Sequence, residues 1–369
     1  MQHEPMNLPF ELAGRVFRPL SCAQQLGPAR SVTKTAACAR MAANSDEAHS
    51  GEGNGDRQFT FRYPSTGSTI SNSIEADPVL SGMNEADETH VAYPFPNDLP
   101  ECERLQLQYD IVDASFNGNL FFAPLDKPRH ILDVATGTGD WAVQMGDLFP
   151  QANVVATDLS PIQPVEVPPN VEFYVEDSSE EWEYSHQFDF IHTRLTGGSW
   201  SSYERQVLRQ AFENLNPGGW MESQEGDASF SCDDGSLKPG HALYRWGEDL
   251  ALSSRIIDRP MVFVSGIKDI YASVGFVDIH EKIFKIPCGA WPKDERLKEL
   301  GRGWQLNVQS GLSGFTFANF HRAFGVKEDA IEVYLVDVRK DIANSKIHAY
   351  TAVHVVWGRK PFPGEVGES

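Results

Sequence analysis

The stretch ILDVATGTGDWA, residues 131–142, constrains the fold of this chain more than any other feature. Ile131, Leu132 and Val134 make a short apolar run that stops at a Thr-Gly-Thr-Gly punctuation, the pattern of a buried parallel strand ending in a tight turn. Ala142, Val143, Met145 and Leu148 then take up helical spacing. Strand, glycine loop and helix in that order form the opening unit of a nucleotide-binding α/β fold.

The alternation continues downstream. ANVVATDLS carries a second buried strand ending at Asp158, VEFYVEDS a third ending at Asp177, and FDFIHTR a fourth over 188–194. SYERQVLRQAFENLNPGGWMESQEGD reads as a helix closed by Pro217-Gly218-Gly219 and followed by a fifth strand. Strands and helices alternating at this spacing predict a mostly parallel, doubly wound sheet. Further on, 241–274 reads as helical, GFVDIHEKIFKIP as an extended strand, 294–344 as a helical insertion and IHAYTAVHVVWGRK as a closing strand. An insertion between two late strands is expected to form a lid or substrate wall over the sheet's carboxyl edge.

Upstream, ECERLQLQYDIVDASF at 101–116 predicts an amphipathic helix leading into the fold, so the folded domain is expected over 101–361, with a short tail over 362–369. Residues 1–100 are expected to be flexible, because 41–100 are rich in Ser, Asn, Gly, Asp and Glu. Residues 1–40 share an Arg- and Ala-rich composition with mitochondrial presequences, but Pro5, Pro9, Pro19 and Pro28 interrupt any amphipathic helix, and a disordered tail is the preferred reading. Met41 is a candidate alternative start.

The 31 basic and 52 acidic residues give a net charge of −21, and no basic cluster stands out, so direct nucleic-acid binding is not expected. Five cysteines without a C-x-x-C pair suggest neither a disulfide framework nor a zinc site. No apolar run reaches the ~20 residues of a membrane span or forms the core of a secretory signal. An intracellular protein is expected, cytoplasmic with the nucleus as the alternative.

Gly137-Thr-Gly139-Asp-Trp-Ala142 also satisfies the dinucleotide pattern G-x-G-x-x-A, with Asp158 placed 19 residues beyond Gly139. Asp133 argues against a dinucleotide, because an acid at the first strand's tip repels a pyrophosphate but suits a ligand bearing an ammonium group. S-adenosylmethionine is such a ligand: it brings an ammonium to the loop region, a ribose diol to Asp158 and an adenine amino group to Asp177.

Here the sequence resembles the class I methyltransferases, whose first motif is acid-x-Gly-x-Gly-x-Gly; this chain has Asp133-Val-Ala135-Thr-Gly137-Thr-Gly139, with Ala135 in place of the first glycine. RHILDVATGTGDWAVQMGDLFPQANVVATDLSPIQPVEVPPNVEF, LNPGGWMESQE and IHAYTAVHVVWGRKP are similar to the fungal LaeA-like methyltransferases over roughly 101–361. The resemblance implies a Rossmann-like class I fold with a late antiparallel strand. It implies S-adenosylmethionine as cofactor and a binding set of Asp133, Ala135, Gly137, Gly139, Asp158, Leu159, Asp177, Ser178 and Tyr109, and no metal. It also implies a fungal origin, in a family that holds both natural-product methyltransferases and regulators of secondary metabolism.

Methyl transfer from a sulfonium is an in-line displacement with an activated donor, so alignment at ~3–3.5 Å in a dry pocket supplies most of the rate. A base near the methyl adds ~10²–10⁴-fold when the acceptor is a hydroxyl or protonated amine. His192, ending the fourth strand, is the candidate base; the plainer reading is a histidine bonded to neighbouring backbone. Glu222 and Glu225 are alternatives, otherwise a solvated strand end or partners for Arg194. Tyr109 and Arg104 are expected near the methionine end, and Trp200, Trp246, Trp291 and Trp304 in regions that border the pocket.

A small-molecule methyltransferase of fungal secondary metabolism is therefore expected. The alternatives are a LaeA-like regulator with a partner bound through the N-terminal region, or a protein of this fold that rearranges a metabolite without methyl transfer. A dehydrogenase is the last of the rivals.

Overall fold

The computed structural model describes residues 97–365, so the region expected to be flexible lies outside them apart from 97–100. Helix α1 (Leu99–Ser115) begins two residues ahead of the expected lead-in, because Asp98 caps it: the Asp98 carboxylate accepts the Glu101 N–H at 3.0 Å. Its buried side is mixed, with Ile111 and Val112 beside a buried Arg104–Glu101 ion pair.

After α1 come β1 (His130–Val134), α2 (Asp140–Leu148), β2 (Asn153–Asp158), β3 (Val171–Val175) and β4 (Phe188–Arg194). A π-helical segment, Glu204–Arg209, runs into α3 (Gln210–Asn214), then β5 (Leu215–Gly226), α4 (Ala242–Ile256), α5 (Ile267–Val274) and β6 (Val277–Pro287). The segment 294–344 holds two helices, α6 (Glu295–Phe324) and α7 (Glu328–Ile342), and β7 (Tyr350–Arg359) closes the chain.

The seven strands lie in the order β3-β2-β1-β4-β5-β7-β6. β1 to β5 are parallel, and β7 runs antiparallel to both β5 and β6. Sheet order therefore reverses direction between β1 and β4, which opens a crevice at the carboxyl edge there. β1, β2 and β4 are buried nearly throughout because helices cover both faces of a parallel sheet.

Two expectations are corrected in detail. β3 ends at Val175, not Asp177, so Asp177 sits on the loop beyond the strand. The helix before β5 ends at Asn214, and the Pro217-Gly218-Gly219 step lies inside β5, where Gly218 adopts φ +85° and the register against β4 shifts.

One core cluster packs α1, α4, α6 and α7 around Ile111, Trp246, Leu250, Trp304, Leu312 and Leu335 and onto Val353 and Val355 of β7. The helices of 294–344 are thus part of a packed body over one end of the sheet. Among the described residues, no helix is long and apolar enough to cross a membrane.

Candidate active site at the carboxyl edge

The loop after β1 turns through three left-handed residues: Ala135 (φ 57°), Gly137 (φ 61°) and Gly139 (φ 85°). The two glycines serve different ends. A Cβ on Gly139 would meet the Phe173 ring at 2.5 Å, whereas a Cβ on Gly137 would meet nothing within 4 Å and would project into the cleft. The loop is held by its neighbours: Thr136 N–H donates to Thr157 O at 2.9 Å, Gly137 N–H to Asp158 Oδ2 at 2.8 Å, and Gln163 Nε2 to Gly137 O at 2.7 Å.

Around this loop lies a cleft of about 1150 Å³, open to solvent along one side. Tyr109, Asp133, Ala135, Gly137, Asp158, Leu159, Asp177, Ser178 and His192 all line it; of the residues singled out from the sequence, Gly139 stands behind the loop. Asp158 takes the Gly137 N–H on Oδ2 and the Ser160 N–H on Oδ1, leaving lone pairs on both oxygens; burial pushes its carboxyl above the usual range. Asp177 uses Oδ1 for Ser179 N–H and Oγ–H, and Oδ2 remains available. Ser178 shares a 2.9 Å hydrogen bond with Thr157.

Asp133 and His192 face each other across the β1/β4 register and meet at 2.8 Å, Oδ1 to Nδ1. Asp133 Oδ2 accepts the Thr136 hydroxyl at 2.6 Å. The His192 ring stacks on Trp141, centroids 3.8 Å apart and planes within 5°, and no part of the residue is exposed. Burial pushes the imidazole pKa down despite Asp133, so the ring is neutral near pH 7 and Nδ1–H is the donor. The partner of His192 is therefore a carboxyl on the next strand, not neighbouring backbone.

Glu222 and Glu225 are corrected: both are fully buried and neither is a solvated strand end. Glu222 Oε2 accepts the Phe122 and Ala123 N–H groups at 2.8 and 2.7 Å, pinning the segment after α1 to β5. Glu225 accepts the Thr196 N–H at 2.7 Å and the Thr196 hydroxyl at 2.9 Å. Burial lifts each carboxyl to about 7.

A second cleft, about 790 Å³, shares Leu105, Gln108 and Leu195 with the first. Phe230, Trp246, Trp304 and Phe315 form aromatic walls. Trp246 and Trp304 donate their indole N–H groups to Thr316 and Thr351, both at 2.9 Å, so they turn apolar surface to the cleft. Arg104 lines this second cleft, not the first, and its donors go to Glu101, Gln108 and Asn307. Trp200 lines the first cleft; Trp291 lines neither and donates to Ala349 O.

Sequence reasoning missed Trp141, Gln163 and Thr136, all of which act through a tertiary partner. Arg194 was noticed only as a partner for glutamate; its place at the carboxyl end of β4, two residues past His192, was the available signal.

A family profile for a methyltransferase domain matches residues 108–280. Methyltransferase pytC of Aspergillus terreus is 36% identical over 296 residues, covering 80% of this chain and 91% of that protein. Secondary metabolism regulator LAE1 of Cochliobolus heterostrophus is 34% identical, over 73% of this chain and 90% of that one. Protein-methionine methyltransferase laeA of Emericella nidulans is 32% identical, over 83% and 87%. The antiparallel β7 inserted beside β5, the glycine loop with its acid near the tip of β1, and more than 30% identity over most of the chain agree with one another: this chain belongs to the fungal LaeA-like class I methyltransferases.

Proposed function

We propose that the protein transfers the methyl group of S-adenosylmethionine to an oxygen or nitrogen of a flat, largely apolar small molecule of fungal secondary metabolism. The observation that carries this reading is the meeting of the two clefts, one edged by acids at successive strand ends and the other walled by aromatic rings. When bound, the cofactor supplies a methyl already activated by its sulfonium.

Asp158 suits a ribose diol, since two of its lone pairs remain after the backbone is served. Asp177 and Ser178 edge the adenine end, and the open space above Gly137 admits the ligand's close approach. His192 is assigned to fixing Asp133, since its Nδ1–H donates to that carboxylate and its ring lies flat on Trp141. Asp227 lines the second cleft with Oδ1 anchored by the Phe263 and Val264 N–H groups at 2.7 and 3.0 Å, so Oδ2 is placed to orient an acceptor hydroxyl or ammonium. The rings keep water from the acceptor, and alignment supplies the rate.

The test is mass spectrometry of the purified protein incubated with S-adenosylmethionine and extract from a strain lacking it. A product heavier by one methylene is expected, and Phe230→Ala should raise the acceptor's KM about tenfold, the effect of ~1.4 kcal/mol of lost binding. The two relatives named as regulator or protein methyltransferase favour a second reading, in which a protein partner takes the place of the metabolite. No methylated metabolite, together with nuclear accumulation of the protein and loss of function on removing residues 1–95, would select it.

A further inference from the structure

The second cleft is walled by aromatic rings, and one edge of it is organised around a single charged side chain, Arg104. Arg104 is 6% exposed and its partner Glu101 8%. The Glu101 carboxylate accepts Nε at 2.8 Å and Nη2 at 2.6 Å, so the charge of the guanidinium is met by a bidentate partner three residues earlier on α1. The guanidinium also lies over the Phe315 ring, 5.1 Å from its centroid. Its remaining nitrogen, Nη1, donates to two amide oxygens, Gln108 Oε1 at 2.9 Å and Asn307 Oδ1 at 2.8 Å.

These two contacts fix which way both amides face. A guanidinium has donors only, so the atom that each amide turns toward Nη1 is its oxygen, and each NH2 group is turned away from Arg104. Both residues line the second cleft, and among the described residues neither NH2 group donates to another side chain or carbonyl. Two amides held on one nitrogen, the first from α1 and the second from α6, therefore present NH2 donors at this edge while their oxygens are spent on Arg104. Gln108 lines the first cleft as well, so the donor edge reaches the place where the two clefts meet.

We infer that the acceptor carries a neutral carbonyl oxygen, that of a ketone, ester or amide, bound by the side-chain NH2 groups of Gln108 and Asn307. The inference rests on the reading of the second cleft as the acceptor site. Donors without net charge match an oxygen that has lone pairs and no charge. A carboxylate asks for a free cation, and Arg104 is already neutralised by Glu101. A hydroxyl or ammonium is served instead by Asp227, which lines the same cleft from the end of β5. The acceptor so defined joins a carbonyl to a hydroxyl or amine across an apolar ring system. Packing alone asks less of these two positions, because Arg104 needs only two oxygens, and Glu and Asp supply them equally well.

Calorimetry on the full chain saturated with S-adenosylhomocysteine tests this with two flat probes that differ in one group: 6-acetyl-2-naphthol, which carries the carbonyl, and 6-ethyl-2-naphthol, which does not. Wild-type protein is expected to bind the ketone roughly tenfold more tightly, the scale of one to two net hydrogen bonds. Asn307→Asp keeps an oxygen for Arg104 and puts a second oxygen where the NH2 group stood, so the ketone's advantage should fall to within about twofold. Gln108→Glu, at a less buried position and so a guard against misfolding, should do the same. Equal affinity of the wild type for the two probes, or an advantage that survives in both variants, overturns the assignment. Wild-type protein that binds neither probe overturns the reading of the second cleft as the acceptor site.

Discussion

The two clefts are built in opposite ways. The first, proposed here as the cofactor side, takes most of its lining from strand tips and the loops that follow them, so residues 133–138, 158–162 and 176–178 arrive in short runs. The second, proposed here as the acceptor side, collects single side chains from positions as distant as Arg104, Phe230, Trp304 and Thr351, carried by α1, α6, β7 and the loops after β5. Backbone geometry holds the first; side-chain packing in a helical body holds the second. What distinguishes them is how much can change without loss: backbone turns admit few residues, whereas an aromatic wall admits many of similar volume.

The largest effect should come from breaking the cofactor side alone. Gly137→Val places a branched side chain at φ 61° into the space left open over the loop, so S-adenosylhomocysteine affinity should fall more than 100-fold by calorimetry. Circular dichroism should show the helices of the acceptor side intact. A variant that binds normally would place the ligand elsewhere.

Next in size is the stitch between the two sides. Glu222 holds the segment between α1 and β1, and burial holds its carboxyl up at about 7, above the ~4.3 of an unfolded chain. The folded state binds this proton more tightly, so the contribution is complete below about pH 4 and is lost as pH rises through about 7. Glu222→Gln cannot ionise. Urea unfolding should therefore show the stability difference moving in the variant's favour between pH 5 and pH 8, by on the order of 2 kcal/mol. A difference that stays flat with pH would mean that Glu222 does not titrate in that window.

The smallest effect concerns Ala135, a non-glycine residue at φ 57°. Ala135→Gly relieves ~1–2 kcal/mol of left-handed strain but gives back part of it through a freer unfolded chain. A net gain of ~0.5 kcal/mol, or ~1–2 °C in melting temperature, is expected in a scanning calorimeter. A fall instead would show that the methyl group packs usefully against the second core cluster, where Ala135 lies.

These contrasts track what was legible in the chain. Asp133, Gly137 and Asp158, which edge the first cleft, were legible as strand-end acids and a loop glycine because period and punctuation are local properties, whereas Asp177, expected at the end of β3, edges the cleft from the loop two residues beyond it. His192 was found for its place at the end of β4, but its chemistry turned on Asp133, 59 residues earlier, and on the face of Trp141. Glu222 and Glu225 looked like strand-end acids; only the segment containing Phe122 and Ala123, and the turn at Thr196, showed them to be sealed.

The sequence by itself determined the order of strands and helices along the chain and the glycine cradle, since each follows from residues within about a dozen positions of one another. Tertiary structure alone decided which acids keep lone pairs for a ligand and which spend them on backbone, and which way the Gln108 and Asn307 amides face. It also brought the aromatic residues together as one wall. Burial and hydrogen-bond satisfaction depend on neighbours across the sheet, and a linear pattern does not carry those distances.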